Sequence, residues 1–144
     1  MKILVTALSL MLGLSLLITI NYKPTVHECI SLKQAENIVL YKIVRADTME
    51  WDTTKIRVYE LPYMLERGDT INILKLIGPY EECKDTMLVL RDDCWYFFID
   101  DAPLLDWGHP CRHVFIYCYC GGVYEVINSV YMTEYYYEMT EVRW

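Results

Sequence analysis

Hydrophobic positions fall into two regimes along this chain. From Ile3 to Ile20 the residues are Leu, Ile, Val, Met and Ala, interrupted only by Thr6, Ser9, Gly13, Ser15 and Thr19, and Lys2 is the one charge before Lys23. The run is apolar all round a helix rather than along one stripe, which argues against a core helix and for an export leader with a short positive start. Moving it out of water is favoured by roughly 0.8 kcal/mol per methylene. No small-x-small triplet follows, since Asn21, Tyr22 and Lys23 are bulky or polar, and the run is close to the roughly 18 residues that span a bilayer. Residues 1–23 therefore read as a signal peptide or, if retained, a signal anchor. Either outcome puts residues 24–144 outside the cytosol, secreted or in the endoplasmic reticulum lumen.

Beyond the leader the apolar residues come in short bursts. Ser31 and Gln34 have the spacing of a capping box, with Leu32, Ala35 and Val39 on one helical face, while Ile38, Val39, Tyr41, Ile43 and Val44 are β-formers. This segment reads as a helical turn followed by a strand. Lys55–Val58 alternates before Pro62, and Thr70–Ile77 ends at the turn pair Gly78-Pro79. Thr86–Leu90 and Cys94–Ile99 flank Arg91-Asp92-Asp93 as a tight hairpin would. A clearer hairpin is His113–Cys120, Gly121-Gly122, then Val123–Tyr131, and Tyr135–Arg143 makes a last strand. About seven or eight strands in one domain, residues 24–144, give an all-β class: a small disulfide-bonded, immunoglobulin-like sandwich.

Composition adds a redox state and a sign of charge. Cys29, Cys83, Cys94, Cys111, Cys118 and Cys120 all follow the leader. An even set in a translocated chain favours disulfides, roughly 2–4 kcal/mol each, in a pairing that the sequence leaves open. From Glu28 onward there are 20 acidic and 11 basic residues, a net −9. Such a module repels phosphate backbones and anionic lipid, so no nucleic acid is expected and membrane contact is expected only through residues 3–20 if they are retained.

Several clusters have candidate chemistry. Arg67-Gly68-Asp69 is the integrin-recognition tripeptide, placed between two predicted strands. An exposed Asp carboxylate can complete the shell of a receptor-bound divalent cation, Arg67 can pair with a receptor carboxylate, and Gly68 lets the two charges splay. Gly and Asp are also ordinary turn residues. Of 13 tyrosines, seven crowd the end of the chain, and Tyr135, Tyr136 and Tyr137 on one strand cannot all face a core, which makes them candidates for partner contact. His109, Cys111, His113, Cys118 and Cys120 are soft ligands, but their spacing fits no common zinc pattern and disulfides account for the cysteines more simply. Asp92, Asp93, Asp100, Asp101 and Asp106 lack the spacing of a calcium loop and read as a solvated turn face. There is no nucleophile elbow, no zinc-protease helix motif and no phosphate loop. The expectation is a non-enzymatic protein with no cofactor and no metal, whose partner is a protein: a receptor or luminal protein, an integrin among them. Self-association is compatible with the exposed Tyr. Other classes consistent with these features are a membrane-anchored assembly protein and, further off, a small metalloprotein or hydrolase.

The order of short islands resembles the secreted immunoglobulin-like accessory proteins of coronaviruses. His27-Glu28-Cys29 closely follows the leader, Asp92-Asp93-Cys94 precedes an aromatic strand, Ala102-Pro103-Leu104-Leu105 comes next, and Val142-Arg143 closes a Tyr- and acid-rich end. The interval from Cys29 to Asp92 is longer than the family's, and Cys118-x-Cys120 departs from its cysteines, so no pairing carries over. The resemblance implies a viral accessory protein that engages host immune or adhesion proteins.

Overall fold

The computed structural model describes residues 28–47, 56–77, 82–105, 108–118 and 123–144. Residues 1–23, expected to be a signal peptide or anchor, Gly78-Pro79, Gly121-Gly122, Asp106 and Cys120 lie outside the described residues, as does the side chain of Cys83.

The described residues are mostly β, with one antiparallel sheet of seven strands in the order β3-β2-β6-β5-β4-β1-β7 and one short helical segment packed on it. Its centre is the pair β4 (Cys94–Asp100) and β5 (Cys111–Tyr117), in register from Cys94↔Tyr117 to Asp100↔Cys111. These are the most continuously apolar stretches after the leader, and both of their faces are covered. Side chains alternate along a strand. Phe97, Ile99, Val114 and Ile116 point to one face, where Ala35, Val39, Leu40, Ile43 and Val44 pack on them. Cys94, Tyr96 and Phe115 point to the other, where they meet Leu61, Leu65, Ile71, Ile73 and Leu90. Burying each such side chain is worth about 1.5–3 kcal/mol, which makes this pair the energetic middle of the fold.

The helical segment corrects one expectation. Ser31 caps it as the spacing predicts: its Oγ accepts the Gln34 N–H and Gln34 Oε1 accepts the Ser31 N–H at 2.8 Å. The helix α1 (Leu32–Ile38) then continues as a π-helical stretch (Val39–Val44) and a closing turn (Arg45–Asp47), where a strand was expected. Ala35, Val39, Leu40, Ile43 and Val44 recur at helical spacing and bury on the sheet, so packing overrides the modest β preference of the branched residues. The Arg45 N–H reaches Leu40 O, which closes the wider turn. Trp95 Nε1 donates to Ile30 O at 2.7 Å and fixes the approach to the helix.

Strand β1 (Arg57–Glu60) pairs with β4 and with the two-residue β7 (Thr140–Glu141). Strand β2 (Thr70–Ile77) pairs along its whole length with β3 (Glu82–Val89), from Thr70↔Val89 to Ile77↔Glu82. The expected hairpin across Arg91–Asp93 is therefore absent: β3 lies at one edge, and its partner is the preceding strand of equal length rather than β4. Leu90 to Asp93 instead carries the chain across to β4. Strand β5 also pairs antiparallel with β6 (Tyr124–Ser129), in register from Cys111↔Ser129 to Ile116↔Tyr124, a register centred nearer residue 120 than on the expected Gly121-Gly122 turn, which lies outside the described residues. β2 meets β6 through Lys75↔Ser129. The expected last strand over Tyr135–Arg143 shrinks to a 3₁₀ turn (Tyr136–Glu138) and β7.

Candidate functional site

Between β1 and β2 the chain runs beside β4. Leu61 N–H donates to Tyr96 O, and Leu65 exchanges two hydrogen bonds of 3.0 Å with Cys94. The next residues turn back at Glu66–Asp69, where the Asp69 N–H reaches Glu66 O at 3.0 Å. Gly68, the third residue of this turn, has φ +96, a value that L side chains rarely adopt. A Cβ there would meet nothing within 4 Å, so the requirement for glycine comes from the backbone and not from space.

Four further bonds pin the turn. Gly68 N–H donates to Leu90 O at 3.0 Å and Leu90 N–H to Asp69 O at 2.9 Å. Arg67 N–H donates to Asp93 Oδ1 at 2.8 Å. Asp69 Oδ2 accepts the Glu66 N–H at 2.9 Å. Arg67, Gly68 and Asp69 are nonetheless all exposed. The tripeptide thus sits on a surface turn with its backbone held and one oxygen of the Asp69 carboxylate bonded back to the turn.

The second candidate lies alongside. Glu134 Oε1 accepts the Asn72 N–H at 3.2 Å, and the negative charges of Glu134 and Asp69 add to desolvation in raising the Tyr135 phenol. Tyr135 packs edge-on against Tyr96, 6.0 Å between ring centres, and Tyr136 against Tyr59 at 5.1 Å, so both are half-buried anchors. Tyr137 is 92% exposed. The Tyr63 hydroxyl donates to Glu138, a bond that pushes the phenol up to about 12. Of the three tyrosines singled out in the sequence, Tyr137 is the one presented outward, and the 3₁₀ turn, not strand alternation, sorts them.

The sulfur and histidine set is dispersed. Cys29 and Cys118 form a disulfide, with Cα atoms 4.6 Å apart and 89 residues between them in sequence. Cys94 and Cys111, expected in bridges, are free buried thiols. They mark opposite ends of the β4–β5 ladder, about 20 Å of strand apart, too far to join each other. Burial pushes both thiols up to about 12, which suppresses the thiolate a nucleophile needs. His113 is buried, stacked on Tyr96, and its Nδ1 shares a 2.7 Å hydrogen bond with the Tyr96 hydroxyl. Desolvation lowers it to about 4. His109 Nε2 instead lies 3.0 Å from Asp100 Oδ1.

The acidic residues separate in the same way. Asp101 forms a two-pronged pair with Arg112, 2.9 Å from Nε and 2.6 Å from a terminal nitrogen, Asp100 accepts the Ala102 N–H, and Asp92 Oδ1 accepts the Asp93 N–H. Among the described residues no group of three His, Cys, Asp or Glu side chains could hold a metal ion, and no helix is long and apolar enough to cross a membrane. Asp93 is the residue that sequence reasoning missed: it read as one of several turn acids, and only the fold sets it against the Arg67 N–H. Compared with family models, curated proteins and solved structures, the chain matches none.

Proposed function

We propose that this chain is an exported, non-enzymatic binding protein that presents Arg67-Gly68-Asp69 to a receptor holding a divalent cation, an integrin-type protein. The observation that carries this reading is the turn itself, exposed at all three residues while its backbone is pinned. A fixed backbone lowers the ordering cost of binding, and Asp69 keeps a carboxylate oxygen for the cation. The outward Tyr137 and the half-exposed Tyr63 nearby supply the aromatic contact area that interfaces favour.

Export is supported by the Cys29–Cys118 bridge, because disulfides persist in oxidising compartments and this one closes just after the apolar leader. The resemblance to coronavirus accessory proteins extends the proposal to an immunoglobulin-like lineage and to modulation of host immune or adhesion proteins. Adhesion of integrin-bearing cells to the immobilised secreted protein tests it. Asp69→Glu and removal of divalent cations should each abolish adhesion; adhesion that survives both, or none to the wild type, discards the proposal.

A further inference from the structure

We propose that Asp93, backed by the Cys29–Cys118 bridge, is a positioning residue for the Arg67-Gly68-Asp69 turn, so that partner binding depends on a closed bridge. The proposal rests on the reading of this turn as the binding element. Its geometry is independent of that reading.

Asp93 touches both features. Its Oδ1 accepts the Arg67 N–H at 2.8 Å, and its backbone carbonyl accepts the Cys118 N–H at 2.9 Å. Its own N–H is held by Asp92 Oδ1 at 3.0 Å. One residue thus connects the bridge to the first residue of the tripeptide. A second route runs through Met64, whose Sδ lies 3.7 Å from Cys29 Sγ and 3.5 Å from Cys118 Sγ. Met64 precedes Leu65, which is bonded to Cys94, the neighbour of Asp93. The segment that enters the turn thus touches the bridge through Met64, and the segment that flanks the turn touches it through Asp93.

The turn is exposed, so losing the Asp93 carboxylate returns the Arg67 N–H to water and leaves the core intact. What is lost is the fixed angle between Arg67 and Asp69. Two charges that must meet a carboxylate and a cation together gain most from such a fixed angle. A bond to a charged acceptor is among the stronger hydrogen bonds, so the expected effect is roughly ten-fold.

The test uses the full secreted protein with two readouts: amide hydrogen exchange at Arg67 by NMR, and binding of a purified integrin ectodomain in magnesium. Asp93→Ala should speed Arg67 exchange roughly ten-fold and weaken ectodomain binding by a similar factor. Asp93→Asn keeps an accepting Oδ1 without the charge and should restore most of both, falling between wild type and Asp93→Ala. Cys29→Ser with Cys118→Ser, and mild reduction of the folded wild type, should also speed Arg67 exchange and weaken ectodomain binding; folded protein with the bridge open that keeps wild-type exchange and binding overturns the bridge's part. Unchanged Arg67 exchange in Asp93→Ala, or Asp93→Asn behaving like Asp93→Ala, overturns the proposal. Wild type that fails to bind the ectodomain overturns the function proposed for the turn, while the exchange data still decide whether Asp93 positions it.

Discussion

The β4–β5 pair and the rim formed by residues 62–64, 66–69 and 134–138 are both rich in aromatics, and they use them in opposite ways. In the centre Tyr96, Phe97, Phe98 and Phe115 are 0% exposed, covered on both faces and bonded by a continuous ladder. On the rim Tyr63 and Tyr137 are 43% and 92% exposed, and order comes from single contacts such as Arg67 to Asp93 and Tyr63 to Glu138. The centre carries the stability. The rim carries addressable chemistry on a backbone whose local opening costs far less than unfolding. The Cys29–Cys118 bridge lies where the two meet, tying the approach to α1 and the end of β5 to the segments beneath the turn.

The largest expected effect is in the centre. Phe97→Ala removes a fully buried ring from between sheet and helix and should cost about 3–5 kcal/mol by chemical denaturation. A loss under about 1 kcal/mol would mean that this face is not covered as described. Next comes the bridge. Closing a loop of 89 residues restricts the unfolded chain, so Cys29→Ser with Cys118→Ser should lower stability by about 2–5 kcal/mol, read from the denaturation midpoint.

Acid should act through the centre as well. His113 titrates near 6.5 when unfolded and is lowered to about 4 by burial, so the unfolded chain takes up the proton first as pH falls. Its contribution is complete above pH 6.5, declines between 6.5 and about 4, and is flat below that, amounting to about 3 kcal/mol. Stability of wild type and His113→Gln across this window checks the sign, since the variant should lose that part of the slope. The smallest effects belong to the rim. Gly68→Ala should cost about 1 kcal/mol through its φ of +96. Tyr137→Ala should change stability by less than about 0.5 kcal/mol while weakening partner binding, which denaturation and a binding titration separate.

This division also sets what the sequence made legible. Thr70–Ile77, β4 and the pairing of β5 with β6 were readable because strand propensity and apolar run agree there. The Ser31–Gln34 box was readable as local chemistry. The stretch 38–44 was misread because branched residues favour strands, whereas their helical spacing fits the sheet surface they cover. Strand β3 was misassigned because Arg91–Asp93 looks like a hairpin turn, while the longer ladder with β2 wins the pairing. The tripeptide was visible, yet its anchor was not: Asp93 lies 26 residues from Arg67, and no local pattern links them. Nor does any spacing rule separate the bonded Cys29 and Cys118 from the free Cys94 and Cys111, since that depends on the fold laying the approach to α1 against the end of β5.

Mass mapping of protein collected from the medium under non-reducing conditions, with free thiols blocked first in denaturant because Cys94 and Cys111 are buried, bears most directly on the proposal of an exported module whose rim is tied to its centre. It should return a peptide pair joined through Cys29 and Cys118, with Cys94 and Cys111 carrying the blocking group. A product found only inside the cell, with Cys29 and Cys118 both blocked as thiols, would contradict it.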